Sequence, residues 1–154
     1  METDLQLRVS DWVGMEDGEV NRPCSDVGLD AGMRVFQRDT TEFSFTGDLT
    51  PGAWFEAANM ASALAAGPSS PRSITLTPRI VVSRYTVETP WTEVGIDRKL
   101  PIVQRAEKAA RNHDTRIIKV TVALQDETSH ILIANSEGLL VADERPMGVL
   151  SVSC

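Results

Sequence analysis

Residues 116–154, RIIKVTVALQDETSHILIANSEGLLVADERPMGVLSVSC, alternate apolar and polar side chains for most of their length. Ile118, Val120, Val122 and Leu124 make one run, Ile131 and Ile133 a second, and Leu140 and Val149 fall in two more. Turn-rich clusters at Gln125 to Thr128, Asn135 to Gly138 and Asp143 to Met147 separate them. A period of two with punctuation of this kind predicts an antiparallel meander with one face buried, and it places Leu124, Ile131, Ile133 and Leu140 in a core. The last run, Gly148 to Cys154, keeps strand composition to its end with no Pro, charge or turn to blunt an edge, so the sheet is expected to be unfinished there.

Working outward, residues 97–112 predict a helix with Ile96, Leu100, Val103, Ala106 and Ala110 on its buried face and Arg98, Lys99, Arg105, Lys108 and Arg111 toward water. Pro101 belongs in its first turn or kinks it, so the start could fall as late as Leu100. Upstream, Ile74 to Thr77 and Arg79 to Val87 have strand composition around Pro78. Pro68 to Pro71 reads as a linker. Thr50-Pro51 is a helix start, because Thr can cap free amides and Pro fits the first helical position. The stripe Trp54, Ala57, Ala58, Ala61 and Leu64 then runs to a stop at Gly67-Pro68, and Trp54, Phe55 and Met60 are expected to pack in a core.

The front of the chain predicts two antiparallel hairpins. Leu5, Leu7 and Val9 alternate with polar residues and lead through Trp12 and Val13 to Asp17-Gly18, a tight-turn dipeptide. Asn21 to Cys24 interrupts the return strand, Asp30-Ala31-Gly32 makes a turn, and Arg38-Asp39 makes another before Thr41 to Thr46, where Phe43 and Phe45 face opposite to Glu42 and Ser44. The expected fold class is α+β, with an N-terminal unit at 1–67, a linker and strand segment at 68–95, and a helix plus meander at 96–154.

Composition narrows function. The 154 residues are 42% apolar, enough for a core, and no apolar run reaches the roughly 20 residues of a membrane-spanning helix. The acidic N-terminus lacks the plan of a signal peptide, so the expected location is the cytoplasm. Net charge is −7, and residues 1–77 hold five Arg against twelve Asp or Glu. Such a surface repels phosphate backbones, which argues against direct nucleic-acid binding. Cys24 and Cys154 are expected as free thiols.

Chemistry is sparse. The two histidines, His113 and His130, have no histidine or cysteine at metal-ligand spacing. Asp126, Glu127 and His130 form the nearest thing to a cluster, but the first two occupy an expected hairpin turn where acids serve conformation. No phosphate-binding glycine loop is present. Ser10-Asp11 and Ser69-Ser70 lack a base nearby in sequence, and the acidic surroundings of Cys24 would raise its thiol pKa. Hence no catalytic, cofactor-binding or metal residue is assigned, and the residues alone describe a scaffold or binding module.

Several segments resemble the N-terminal part of the TldD/PmbA family, often labelled modulators of DNA gyrase and understood as zinc metallopeptidases, with TldD the nearer branch. They are Gly32 to Phe36, Phe43 to Thr46 running into Asp48 to Pro51, and above all Ile131-Leu132-Ile133-Ala134-Asn135-Ser136-Glu137-Gly138-Leu139-Leu140-Val141; Arg145-Pro146 and Leu150 to Ser153 continue the match. The resemblance implies peptide processing by a longer chain in which a later domain supplies HExxxH, with zinc as cofactor and other TldD/PmbA-type subunits as partners. HExxxH does not occur here, so no zinc ligand carries over. The opening differs too, since family members usually place a helix ahead of the strand matching Leu5 to Val9, and both ends read as cut. Three readings stay open: the non-catalytic front portion of such a peptidase, helping to shape a substrate channel and subunit contacts; an independent interaction module with an exposed sheet edge; and a complete small enzyme, which lacks the parts.

Overall fold

The computed structural model describes residues 1–21, 23–37, 39–65, 73–82 and 84–154. Its elements run β1 (Glu2–Glu16), β2 (Glu19–Val20), β3 (Cys24–Gln37), β4 (Thr40–Thr46), α1 (Pro51–Leu64), β5 (Thr77–Arg79), a 3₁₀ turn (Trp91–Glu93), α2 (Ile96–Arg111), β6 (Thr121–Asn135) and β7 (Leu139–Ser153). Strand order is β4-β3-β1-β6-β7-β5, with β2 folded back on β1. The α+β class is as expected. β3–β4 and β1–β2 are antiparallel, and β5 joins β7 in parallel.

The strands are fewer and longer than the turn signals suggest. Gln125 to Thr128 and Asp143 to Met147 are strand interior, so the expected meander is one hairpin of two long strands, β6 and β7. Of its three turns only Asn135 to Gly138 forms. There the Asn135 side chain accepts from the amides of Glu137 and Leu139, both at 3.0 Å, and Gly138 takes a φ of +90° that side chains resist. Asp30-Ala31-Gly32 is likewise no turn but the middle of β3, and Ala31 is fully buried. The Asp17-Gly18 turn does form, with φ of 49° and 86°. Residues 80–82 and 84–87 make no strand; β5 holds Pro78 at its centre, where a terminal strand tolerates the missing donor. The expected linker at 68–71, the Gly67-Pro68 stop and Arg38 lie outside the described residues.

The chain divides into two compact units. The first comprises Met1–Leu7, Gly28–Arg84 and His130–Glu144. Its helix, α1, starts as the sequence indicates, with the Thr50 side chain accepting from the Ala53 amide and Pro51 at the first position. The helix buries small residues, Ala57 and Ala61, and the Ser44 hydroxyl of β4 donates to the Ala57 carbonyl at 2.6 Å. This inverts the expected packing. The Ser44 face of β4 is covered, while Phe43 and Phe45 stack on each other in solvent, Phe45 being 75% exposed. Phe55, Met60 and Leu64 of α1 are exposed as well, because alanine permits the close approach that large side chains would block.

The second unit comprises Arg8–Val27, Tyr85–Ser129 and Arg145–Cys154. Val13 and Met15 of β1, Val103 of α2, and Val120, Val122 and Leu124 form its core, with Leu100, Ile102, Ala106, Ala110 and Ile117 packed against them. The alternation read at Val120, Val122 and Leu124 therefore reports burial correctly, but Ile118 is 88% exposed, and Ile131, Ile133 and Leu140, in the first unit, are only half-buried. The α2 helix begins at Ile96, so Pro101 sits in its second turn, where the missing amide leaves the Asp97 carbonyl without its helical donor.

Replacing Ala61 with Leu should destabilise the protein by about 1–3 kcal/mol through overpacking, whereas Met60→Gln on the open face should stay within about 0.5 kcal/mol. Urea denaturation of the two variants checks the contrast.

Candidate functional site

The charged group most fully withdrawn from water is Lys99, 2% exposed on α2. Its placement corrects the expectation that it faces solvent. Lys99, Val103, Ala106 and Ala110 follow one another at four-, three- and four-residue steps, so Lys99 lies on the buried stripe, and Ile96, expected on that stripe, is exposed. The ammonium donates to Asp11 Oδ2 of β1 at 2.6 Å and stands 2.7 Å from Asp126 Oδ2 of β6. The approach to Asp126 is an ionic contact without hydrogen-bond alignment, since Oδ2 has no hydrogen-bond partner. Trp91 completes the surround, its ring centroid 5.9 Å from Nζ, within reach of a cation–π attraction. The same indole closes over Gly148 of β7, where a Cβ would come within 2.8 Å of the ring.

Electrostatics follow from this geometry. Burial pushes the Lys99 pKa down, but the hydrogen bond to Asp11 and the contact with Asp126 outweigh it and hold the pKa above the ordinary lysine value. Its stabilising contribution is therefore present at neutral pH and is lost as pH rises through that elevated value. Asp11 is lowered by hydrogen bonds from Lys99 and from Ser25. Asp126 is raised by burial, which Lys99 only partly offsets, and the Asp11 charge adds to the rise. A lysine held charged in this way is not a nucleophile.

Asp126, Glu127 and His130 do not assemble a site. Asp126 faces Lys99, Glu127 accepts from the Ser129 hydroxyl at 2.7 Å, and His130 lies exposed, 3.6 Å from Glu144. His113 closes the end of α2, its amide bonded to the Ala110 carbonyl. Ser10 and Asp11 are neighbours on β1, and Asp11 serves Lys99. Cys24 and Cys154 are free and exposed. Ser69 and Ser70 lie outside the described residues. Among the described residues no group of three or more His, Cys, Asp or Glu is placed to hold a metal ion, so the zinc that the family resemblance implies has no fitting donor set on them. No helix among them is long and apolar enough to cross a membrane.

The first unit offers a different feature, an apolar groove of about 450 Å³ lined by Met1, Thr3, Met33, Leu49, Pro51, Trp54, Phe55 and Ala58. Trp54 and Phe55 thus line a groove, correcting the expectation that they fill a core. Its described lining is apolar apart from the Thr3 hydroxyl and the Met1 main chain, a surface suited to binding apolar groups.

Comparison with known proteins converges on one family. The family model described as the PmbA/TldA metallopeptidase central domain matches residues 89–154. A metalloprotease TldD homolog of Haemophilus influenzae is 25% identical over 157 residues, covering 97% of this chain and 32% of the relative. One from Buchnera aphidicola subsp. Acyrthosiphon pisum is 26% identical over 129 residues, 84% of this chain and 26% of its own. Among solved structures, a Thermotoga maritima protein described as a candidate modulator of a DNA gyrase superposes with a TM-score of 0.70 at 15% identity, over 97% of this chain and 34% of that one. TldE from Thermococcus kodakarensis gives 0.53 at 16% identity, over 98% and 36%. The chain thus spans about a third or less of the curated relatives it matches. The TldD/PmbA resemblance carried by the Ile131 to Val141 segment is borne out.

Lys99→Ala should cost about 3–5 kcal/mol, because it strands a buried carboxylate without its cation. Guanidinium denaturation at pH 7 measures it.

Proposed function

We propose that this protein is a TldD/PmbA-type chain and supplies the non-catalytic front portion of a zinc metallopeptidase of that type, helping to shape a substrate channel and subunit contacts. The observation that carries the reading is the match of residues 89–154 to the family's central domain, on a chain without HExxxH whose described residues form no metal-holding group. Lys99 is closed in by two carboxylates, and His130 is exposed beside Glu144. What the fold does offer is surface, in long strands and an apolar groove. In the reading proposed here, other TldD/PmbA-type subunits, in a homo- or hetero-oligomer, are the partners, a peptide is the substrate of the full-length protein, the catalytic zinc belongs to a domain carrying HExxxH, and the cytoplasm is the location.

A second reading, an interaction module that takes an extended peptide by strand addition, is favoured by β7. The pairing of β5 covers only Leu139 to Val141 of that strand, and Val149, Leu150 and Val152 are exposed on both of its faces. Peptide bound this way would be held by main-chain hydrogen bonds, with side-chain pockets at alternate positions setting preference.

The purified chain given equimolar Zn²⁺ should retain less than stoichiometric metal after gel filtration and leave an unstructured peptide intact. Stoichiometric zinc together with chelator-sensitive cleavage would overturn the first reading. For the second, hydrogen exchange of Gly148 to Ser153 should slow when an extended peptide is added, and unchanged exchange at saturating peptide counts against it.

A further inference from the structure

The second unit encloses one ammonium and two carboxylates. Asp11 keeps 35% of its side chain open to water and takes hydrogen bonds from both Lys99 and Ser25. Asp126 is sealed, 3% exposed, and its Oδ2 accepts no hydrogen bond. Two residues along the same face of β6, Thr128 is equally buried, and its hydroxyl has no partner. With both carboxylates ionised the enclosed charge would be one negative in excess, and the excess would fall on the carboxyl with the least water and the poorest hydrogen bonding. Burying an unbalanced charge costs far more than burying a neutral acid.

We propose that Asp126 is a proton-binding site that the second unit fills as it folds, making the packing of α2 on β6 sensitive to pH. The charged groups acting on Asp126 are Lys99 from α2 and Asp11 from β1; Ser25 of β3 and Trp91 of the 3₁₀ turn complete the cluster without charge. With the proton in place, Lys99 and Asp11 form a balanced pair. Asp126 then carries an O–H donor on a face where the Thr128 hydroxyl has lone pairs to offer. When the proton leaves, the net negative charge returns to the interior and the contact between α2 and β6 weakens.

The direction of the pH effect separates this site from an ordinary carboxylate. Asp126 binds its proton more tightly in the folded chain than in the unfolded one. Between the ordinary aspartate value and its own higher one, folding takes up a proton, and stability from this group falls as pH rises through that window. Asp11 behaves oppositely, since its contribution is present above the ordinary value and is lost as pH falls through its depressed one.

A ¹³C carboxyl NMR titration of the intact chain should place the Asp126 midpoint above the ordinary aspartate value. Asp126→Asn should have a Tm at pH 7 equal to or above that of the unsubstituted chain and should lose its fall in Tm across the window. Asp11→Asn should lower the Tm at pH 7. The proposal is overturned if Asp126 titrates at or below the ordinary aspartate value, or if Asp126→Asn lowers the Tm at pH 7 as much as Asp11→Asn does. Should Asp126→Asn fail to fold, the titration of the unsubstituted chain decides.

Discussion

An ammonium group cannot be taken out of water without a counter-charge, and the second unit is arranged around that constraint. Lys99 brings its charge from α2 into the interior, and Asp11 of β1 and Asp126 of β6 meet it. Three elements far apart in sequence are thereby tied at one point, beside the apolar core of Val13, Met15, Val103, Val120, Val122 and Leu124. The apolar contacts supply the non-directional drive to bury area. The ion cluster adds direction, because it is satisfied only when α2 presents residue 99 to β1 and β6 in one register.

The first unit solves its packing without charge. Small side chains, Ala57 and Ala61 on the helix and Ser44 on β4, let backbone approach backbone, and a serine hydroxyl bonds a helix carbonyl across the gap. The consequence is an apolar exterior: Phe43, Phe45, Phe55 and Met60 are exposed, and a groove opens beside Trp54. In the first unit the helix–strand contact is made by residues that a hydrophobicity scale does not rank first.

These arrangements bear on function through what they leave unused. Residues 89–154 match the PmbA/TldA metallopeptidase central domain. The ionisable groups drawn inward are engaged with one another, and Asp17 and Asp114 at the surface are held low by hydrogen bonds donated by Val120 and Arg116.

Local chemistry was legible in the sequence wherever a residue's role depends on its immediate neighbours. Thr50-Pro51 capped a helix, Asp17-Gly18 and Asn135 to Gly138 turned the chain, and Val120, Val122 and Leu124 marked a buried face. The Ile131 to Val141 segment also pointed to the family. What only the tertiary structure decided is the partner of each polar side chain. Asp126 reads as a turn residue because acids favour turns, yet it is strand interior, facing a lysine twenty-seven positions earlier on α2. Lys99 reads as a solvated charge because isolated charges belong in water, yet it is buried, since two carboxylates arrive from other strands. Hydrophobic periodicity assigns every charge to the surface, and a compensated charge escapes that assignment because the compensation comes from residues distant along the chain.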